Sequence, residues 1–345
     1  MGTNLSSYTR AKEPEPTMSV HVGQEPLVAP GLRGRGEWVR RQPRTLVPWV
    51  LLAVLITIGS SLSGTFRSEP VMVETLKGAT FVGMASAAQF FAVVGGGIDL
   101  SVGAVATTGG MVAAVIMNGH DHSIPLAVLA CVGVGLVVGV INGLVINRLK
   151  VAPFVATFGM NYILVGAAYT YSVNPVGQAA PSFYALYTDT WGRIPVLLLL
   201  VAAFWAICWY TARQTAFGRH LYAIGGDRGA ARLAGVRTTS VSITSYVACS
   251  VIAAVAGLLE LTQTGVAAPD LGATLLLTTV TAVVIGGVSL FGGQGSVIGV
   301  LGGALVLGFL SSLFDSLQIN ALYQTLIEGL LILAILGIYR QRRRA

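Results

Sequence analysis

The chain has 345 residues, of which 54% are hydrophobic and only 10% charged, with 43 glycines, a mean hydropathy of +0.75 and a formal net charge of +7. A soluble core of this length needs a charged shell that one residue in ten cannot make, so composition excludes a soluble enzyme and leaves an all-α polytopic membrane protein. The basic residues lie in an N-terminal tail, in short loops and at the C-terminus, with no basic stripe interleaved with aromatics, so they read as topology and membrane-surface charge and not as a nucleic-acid footprint.

Residues 1–45 read as a disordered cytoplasmic tail. They are poor in apolar surface and end in Arg33, Arg35, Arg40, Arg41 and Arg44, and no short apolar segment with a small-residue cleavage site precedes the first long apolar run. A membrane domain then occupies 46–339, with apolar runs near Val47–Gly64, Gly78–Val94, Leu100–Met117, Ile124–Ile146, Val151–Tyr171, Ile194–Tyr210, Val241–Leu261, Leu271–Leu290, Ser296–Phe314 and Leu322–Ile338. That makes about ten transmembrane helices with both termini cytoplasmic. An even number places Arg148 and Lys150, the loop 211–238 and the basic C-terminus 340–345 on the positive inside.

Leu100–Met117, rich in Gly and Thr and entered almost without a loop, reads as a broken or re-entrant helix, which is tolerated at membrane depth only inside protein. The longest external loop, Ser172–Arg193, is rich in Pro and aromatics and reads as a lid or docking surface. Glu260, Asp270 and Asp315 fall at external span ends, where a solvated carboxylate costs little. Cys131, Cys208 and Cys249 lie inside apolar runs and read as packing residues.

Ala92–Gly103, AVVGGGIDLSVG, aligns without gaps to Ala282–Gly293, AVVIGGVSLFGG. The pair reads either as chance similarity or as two Gly-rich hinges of an alternating-access device, with Gly96, Gly97, Asp99, Ser101, Gly286, Gly287, Gly292 and Gly293 as gate residues. Asp99 is a helix cap in the first reading and a gate or coupling residue in the second. Gln89, Asn142, Asn161, Tyr162, Tyr169 and Gln324 are candidates for a polar pathway, although hydrogen bonding between helices explains them equally well. The glycines of CVGVGLVVGVING mark close helix packing.

Catalytic signatures are missing. None of the three lysines, Lys12, Lys77 and Lys150, follows a glycine, so there is no phosphate-binding loop and the chain does not hydrolyse ATP itself. His120, Asp121 and His122 form a short external turn that reads as solvated sooner than as a metal site.

The interval Thr211–Thr238 stands apart. It sets Arg213, Arg219, Arg228, Arg232 and Arg237 against one acid, Asp227. Asp227 is suited to cap a short helix over RGAARLA, and Gly235 to close it in the left-handed conformation. On these residues alone it is either a topology-fixing loop or a rigid object presented to a partner.

GGIDLSVG at Gly96–Gly103, NG followed by LKVAPFVATFG around Asn142, Pro153 and Gly159, AFGRHLYAIGGDRGAARLAGV at Ala216–Val236 and VVIGGVSLFGGQGSVIG at Val283–Gly299 resemble, in order and spacing, the permease subunits of ribose-type bacterial ABC sugar importers. The resemblance implies a multi-pass permease of the bacterial cytoplasmic membrane, paired with a second copy or paralogue. Its partners would be a cytoplasmic ABC ATPase, which carries the ATP and Mg, and an extracytoplasmic solute-binding protein. The chain itself would bind no cofactor and catalyse no chemical step. The resemblance also implies that Gly218, Arg219, Gly225, Gly226, Asp227, Ala230, Ala231, Leu233 and Gly235 form the ATPase-coupling segment. Val165, Leu276, Thr278 and Asp315 depart from the family's pattern, which leaves the cargo open among sugars and sugar-like solutes. A related permease for branched-chain amino acids or nucleosides, and an ion-coupled secondary transporter, are the alternatives.

Overall fold

The computed structural model describes residues 45–320 and positions 323, 326, 327, 329 and 330. The expectations for the N-terminal tail, the last span, Gln324 and the basic C-terminus fall outside the described residues. In chain order the helices are α1 (Val47–Leu62), α2 (Glu69–Val94), α3 (Val102–Met117), α4 (Ile124–Asn147), α5 (Pro153–Tyr171), α6 (Pro181–Thr188), α7 (Val196–Gln214), α8 (Ala216–Gly226), α9 (Arg228–Leu233), α10 (Thr238–Thr264), α11 (Leu275–Ile285) and α12 (Val297–Ser316). A two-residue strand pair, β1 (Thr190–Trp191) with β2 (Ile194–Pro195), closes a hairpin before α7. Five segments, Glu69–Val94, Asp121–Asn147, Val196–Gln214, Thr238–Thr264 and Val297–Ser316, are long and apolar enough to cross a membrane.

The core is built around α10, which packs on α2, α3 and α4, while α12 packs on α1, α2 and α11. Every residue of α2 from Gly83 to Val94 is buried. In contrast, α4 and α7 bury only 28% of their most apolar windows, leaving side chains such as Leu126, Leu129 and Val137 directed outward. Apolar outside as well as inside is the pattern of a bundle solvated by lipid, where helices associate through close packing of small residues.

That packing is explicit between α4 and α10. Gly135, Gly139 and Gly143, one turn apart, face Val251, Val247 and Ile243, and a Cβ at each glycine would lie 2.6, 2.5 and 3.0 Å from the facing Cα. Gly139→Leu should therefore force these helices apart at a cost of about 1–3 kcal/mol or more. Thermal unfolding in detergent should register a drop of several degrees for it. Gly133→Leu should leave the midpoint unchanged, since nothing lies within 4 Å of a Cβ there.

Three expectations are corrected. The stretch Thr65–Lys77, which falls between the expected runs Val47–Gly64 and Gly78–Val94, is helical from Glu69, with Glu74 and Lys77 paired one turn apart at 3.8 Å. The expected span Leu271–Leu290 is only the eleven-residue α11, preceded by turns and stopped at Gly286–Gly287. At ~1.5 Å per residue it covers roughly half of a hydrocarbon core. Glu260 is half-buried within α10 and not solvated at an external end. The loop Ser172–Arg193 contains α6 and the start of the hairpin, and is tied back to the bundle by the antiparallel bridge Val176–Ala267.

Candidate functional site: a glycine joint beneath a capped helix

The end of α2 explains the first half of the site. Gly96 takes φ +88, its N–H donates to Val93 O at 3.0 Å and the Gly97 N–H donates to Ala92 O at 3.1 Å. This is the double bond of a Schellman stop, which needs a left-handed residue and hence glycine. The end of α11 repeats it with Gly287 at φ +78, Gly287 N–H to Val284 O and Val288 N–H to Val283 O. The two stops superpose with Gly96 on Gly287, one residue away from the ungapped sequence alignment, which paired Gly96 with Gly286. The similarity therefore reflects a shared helix ending with its register displaced by one.

The segment Gly97–Ser101, between α2 and α3, is non-helical and deeply enclosed, and its polar groups are held by side chains from other helices. The Leu100 N–H donates to Thr157 Oγ1 at 3.0 Å, and Thr157 Oγ1 lies 3.3 Å from Ile98 O. Asp99, 1% exposed, accepts from the Ser101 N–H at 2.8 Å and the Ser101 hydroxyl at 2.5 Å. Asn142 Nδ2 donates to Ser101 Oγ at 3.0 Å. Asp99 thus holds Ser101, the residue before α3, and does not cap the helix itself, whose first N–H groups receive no side-chain bond; it is also an enclosed group and not one at a solvated boundary. Among the described residues its second oxygen, Oδ2, and the buried Tyr246 hydroxyl have no hydrogen-bond partner of good geometry, although the Cys249 thiol faces the Asp99 carboxylate. Irregular backbone inside a bundle survives only when protein supplies these bonds.

The second half of the site is α8, an amphipathic helix that buries Gly218, Leu221 and Ile224. Thr215 starts it by accepting from the Gly218 N–H at 3.2 Å. Gly218 has no room for a side chain: a Cβ would lie 2.2 Å from Ala212 O, so this glycine makes the tight corner with α7. Phe217 stacks on Phe91, and the Tyr222 hydroxyl donates to Gly295 O at 2.9 Å. Burial pushes the Tyr222 phenol up, with Arg213 opposing, so it stays a protonated donor at neutral pH.

At the C-terminal end of α8 three glycine turns meet backbone to backbone. The Gly293 N–H donates to Val94 O at 3.0 Å. A Cβ on Gly225 would lie 1.8 Å from Val94 O and 2.6 Å from Gly293 N, one on Gly292 would lie 2.8 Å from Gly96 Cα, and one on Gly293 would lie 2.6 Å from Gly226 Cα. Gly292 and Gly293 also hold positive φ, +88 and +69. The structure therefore joins Gly225 to three of the expected gate positions, Gly96, Gly292 and Gly293, while Gly286 and Gly287 lie apart at the end of α11.

Beyond the joint stands α9. Asp227 caps it by accepting from the Gly229 and Ala230 N–H groups at 2.7 and 2.9 Å, and Gly235 closes it at φ +83. Arg228 donates to Asn147 Oδ1 at 2.5 Å, tethering α9 to the end of α4. The residues expected to couple divide by side: Ala231 is buried, whereas Ala230 is exposed and Leu233 is 92% exposed. Arg219 is exposed at the start of α8, with Nη1 donating to Gln214 O.

The pathway candidates are not gathered. Asn142 holds Ser101. Gln89 is fully buried with both amide atoms unpartnered, and Tyr162 and Tyr169 face outward on α5, 62% and 44% exposed, with Asn161 half-buried beside them. The residues missed were Thr157, Tyr246 and Cys249, whose thiol faces Asp99. A signal existed for the α10 pair: Ser242, Ser245, Tyr246, Cys249 and Ser250 recur at helical spacing in an apolar run, marking one polar face.

Residues 71–336 match the family described as branched-chain amino acid transport system / permease component. The chain is 35% identical over 306 residues to the fructose import permease protein of Rhizobium meliloti, covering 85% of this chain and 84% of that one. It is 30% identical over 292 residues to the ribose import permease protein of Escherichia coli strain K12, with coverages of 82% and 90%. To the L-arabinose transport system permease protein of the same strain it is 33% identical over 264 residues, with coverages of 76% and 80%. No solved structure matches the chain.

Proposed function

The chain belongs to the branched-chain amino acid transport system / permease component family, and on that premise we propose how it works. It is the permease subunit of an ABC importer that passes a sugar or sugar-like solute across the membrane. The family description mentions branched-chain amino acids, but relatives matched over three quarters of this chain or more are named for fructose, ribose and arabinose, which favours sugar. In our reading the helices of residues 46–339 lie in the bacterial cytoplasmic membrane and most of them cross it, with the tail 1–45, the loop 211–238 and residues 340–345 inside. A separate ATPase carries the ATP and Mg, an extracytoplasmic protein delivers the solute, and a second permease copy or paralogue completes the channel.

The observation that carries the coupling mechanism is the contact of Gly225 with Val94 and Gly293. The helix α9 presents Leu233 outward to the ATPase. When the ATPase closes on ATP it displaces α9 and, through the one-residue link at Asp227, α8. Backbone resting on backbone leaves no flexible side chain to absorb that motion, so the turns that end α2 and precede α12 move with α8. Because these turns set the ends of buried helices, their displacement alternates the opening of the bundle between its two sides.

Proteoliposomes holding this chain with its ATPase and binding protein are expected to take up labelled D-fructose, D-ribose or L-arabinose only with ATP. Solute accumulation by this chain alone on a proton gradient would overturn the reading in favour of ion-coupled transport.

A further inference from the structure

A cleft of about 340 Å³ lies between α2, α11 and α12, in the half of α2 away from the glycine joint. Its volume falls within the ~300–1,000 Å³ of small-molecule sites. One wall is polar, formed by Glu74 and Thr75 from α2, Thr278 from α11, and Ser311, Ser312 and Asp315 from α12. Val71, Ala79, Val82 and Leu307 supply the apolar part of the lining.

The polar wall is biased toward accepting hydrogen bonds. Thr75 Oγ1 is 2.7 Å from Val71 O and 2.6 Å from Ser312 Oγ. A hydroxyl has one proton, and the carbonyl can only accept, so the Thr75 proton goes to Val71 and Ser312 must donate to Thr75. That leaves the Ser312 oxygen as an acceptor beside two carboxylates. Glu74 is oriented from outside the cleft: it accepts from the Tyr187 hydroxyl of α6, and Lys77, which sits 3.8 Å from it, lies over the Tyr187 ring. Gly78 forms an open stretch of the lining, with nothing within 4 Å of where its Cβ would be.

We propose that this cleft holds the transported solute, and that its ligand class is a neutral polyhydroxylated ring. Such a ring carries several hydroxyl donors around its edge for Glu74, Ser312 and Asp315, and a C–H face for the Val82 and Leu307 side. A branched-chain amino acid offers these acceptors one donor group, its ammonium, whereas a sugar ring offers several hydroxyls spread around its edge. The proposal rests on the sugar-importer reading and adds the site. It also gives α6 a role: through Tyr187 it fixes the Glu74 carboxylate at the cleft mouth.

The test is uptake of labelled D-fructose, D-ribose and L-arabinose by the complete importer in proteoliposomes, with Gly78→Leu and Asp315→Asn. Gly78→Leu puts a side chain on the cleft lining at a position where a Cβ meets nothing within 4 Å, and should lower uptake at least tenfold. Asp315→Asn should raise the half-saturating concentration severalfold in protein whose folding is checked by its unfolding temperature. If Gly78→Leu does not fold, Asp315→Asn and Ser312→Ala carry the test through the same half-saturation readout. Wild-type transport of sugar with half-saturation and maximal rate unchanged in the folded variants would overturn the cleft while leaving the sugar reading intact. Wild-type failure to carry any of the sugars, or transport of L-leucine blocked by Gly78→Leu, would overturn the sugar reading and this proposal together.

Discussion

Gly225→Ala is expected to abolish sugar uptake while leaving the chain inserted and its ATPase attached. One methyl group is added, but it would lie 1.8 Å from Val94 O and 2.6 Å from Gly293 N, both backbone atoms. Bringing the nearer contact from 1.8 Å to the ordinary 3.4 Å opens the joint by about 1.6 Å, and a close-packed interior transmits such a shift instead of absorbing it. The bond from the Gly293 N–H to Val94 O is the first to break, because both its atoms border the intruding methyl. Once α8 is lifted from the two turns, motion of α9 no longer reaches them, and ATP hydrolysis should proceed without transport. Gly226→Ala is the matched control: nothing lies within 4 Å of its Cβ, so uptake should persist. Labelled-sugar uptake and ATPase activity measured on the same vesicles separate the two variants.

How far the sequence carried this account varied with the kind of feature. Local features were legible. Asp227, the short Ala-rich run and Gly235 predicted a capped and closed helix, and α9 has both ends as expected, because capping depends on residues two or three positions away. The Gly135–Gly139–Gly143 stripe was equally legible as a packing face, though its partner on α10 was not. Span ends were read poorly where polarity and helicity disagree. Glu69, Glu74 and Lys77 broke the apolar run that marks α2, while the unbroken run Leu271–Leu290 concealed the brevity of α11.

The joint itself was only half visible. Its glycines were named in two separate groups, as hinge and as coupling residues, and nothing local brings positions 96, 225 and 293 together. The same holds for the bonds that secure Gly97–Ser101: Thr157 lies 57 residues from Leu100, and Asn142 lies 41 from Ser101. Contacts across such separations depend on how helices are arranged in the bundle, which periodicity does not specify. The resemblance supplied the role of the coupling segment, and the structure divides that segment into an outward face at Leu233 and an inward one at Ala231 and Gly225.

Leu233→Asp is the complementary change, expected to break coupling from the outside. A leucine that is 92% exposed at the tip of a short, capped helix contributes little to the fold of its own chain, so the unfolding temperature should hold. If it is the apolar anchor for the ATPase, a buried carboxylate in its place should cost about 2 kcal/mol or more of binding, roughly a thirtyfold loss of affinity. The measurement is titration of the purified ATPase onto the full-length chain in nanodiscs, wild type against Leu233→Asp, with Gly225→Ala in parallel. The account predicts tight binding by the wild type and Gly225→Ala and at least thirtyfold weaker binding by Leu233→Asp. Equal ATPase affinity for wild type and Leu233→Asp would contradict it.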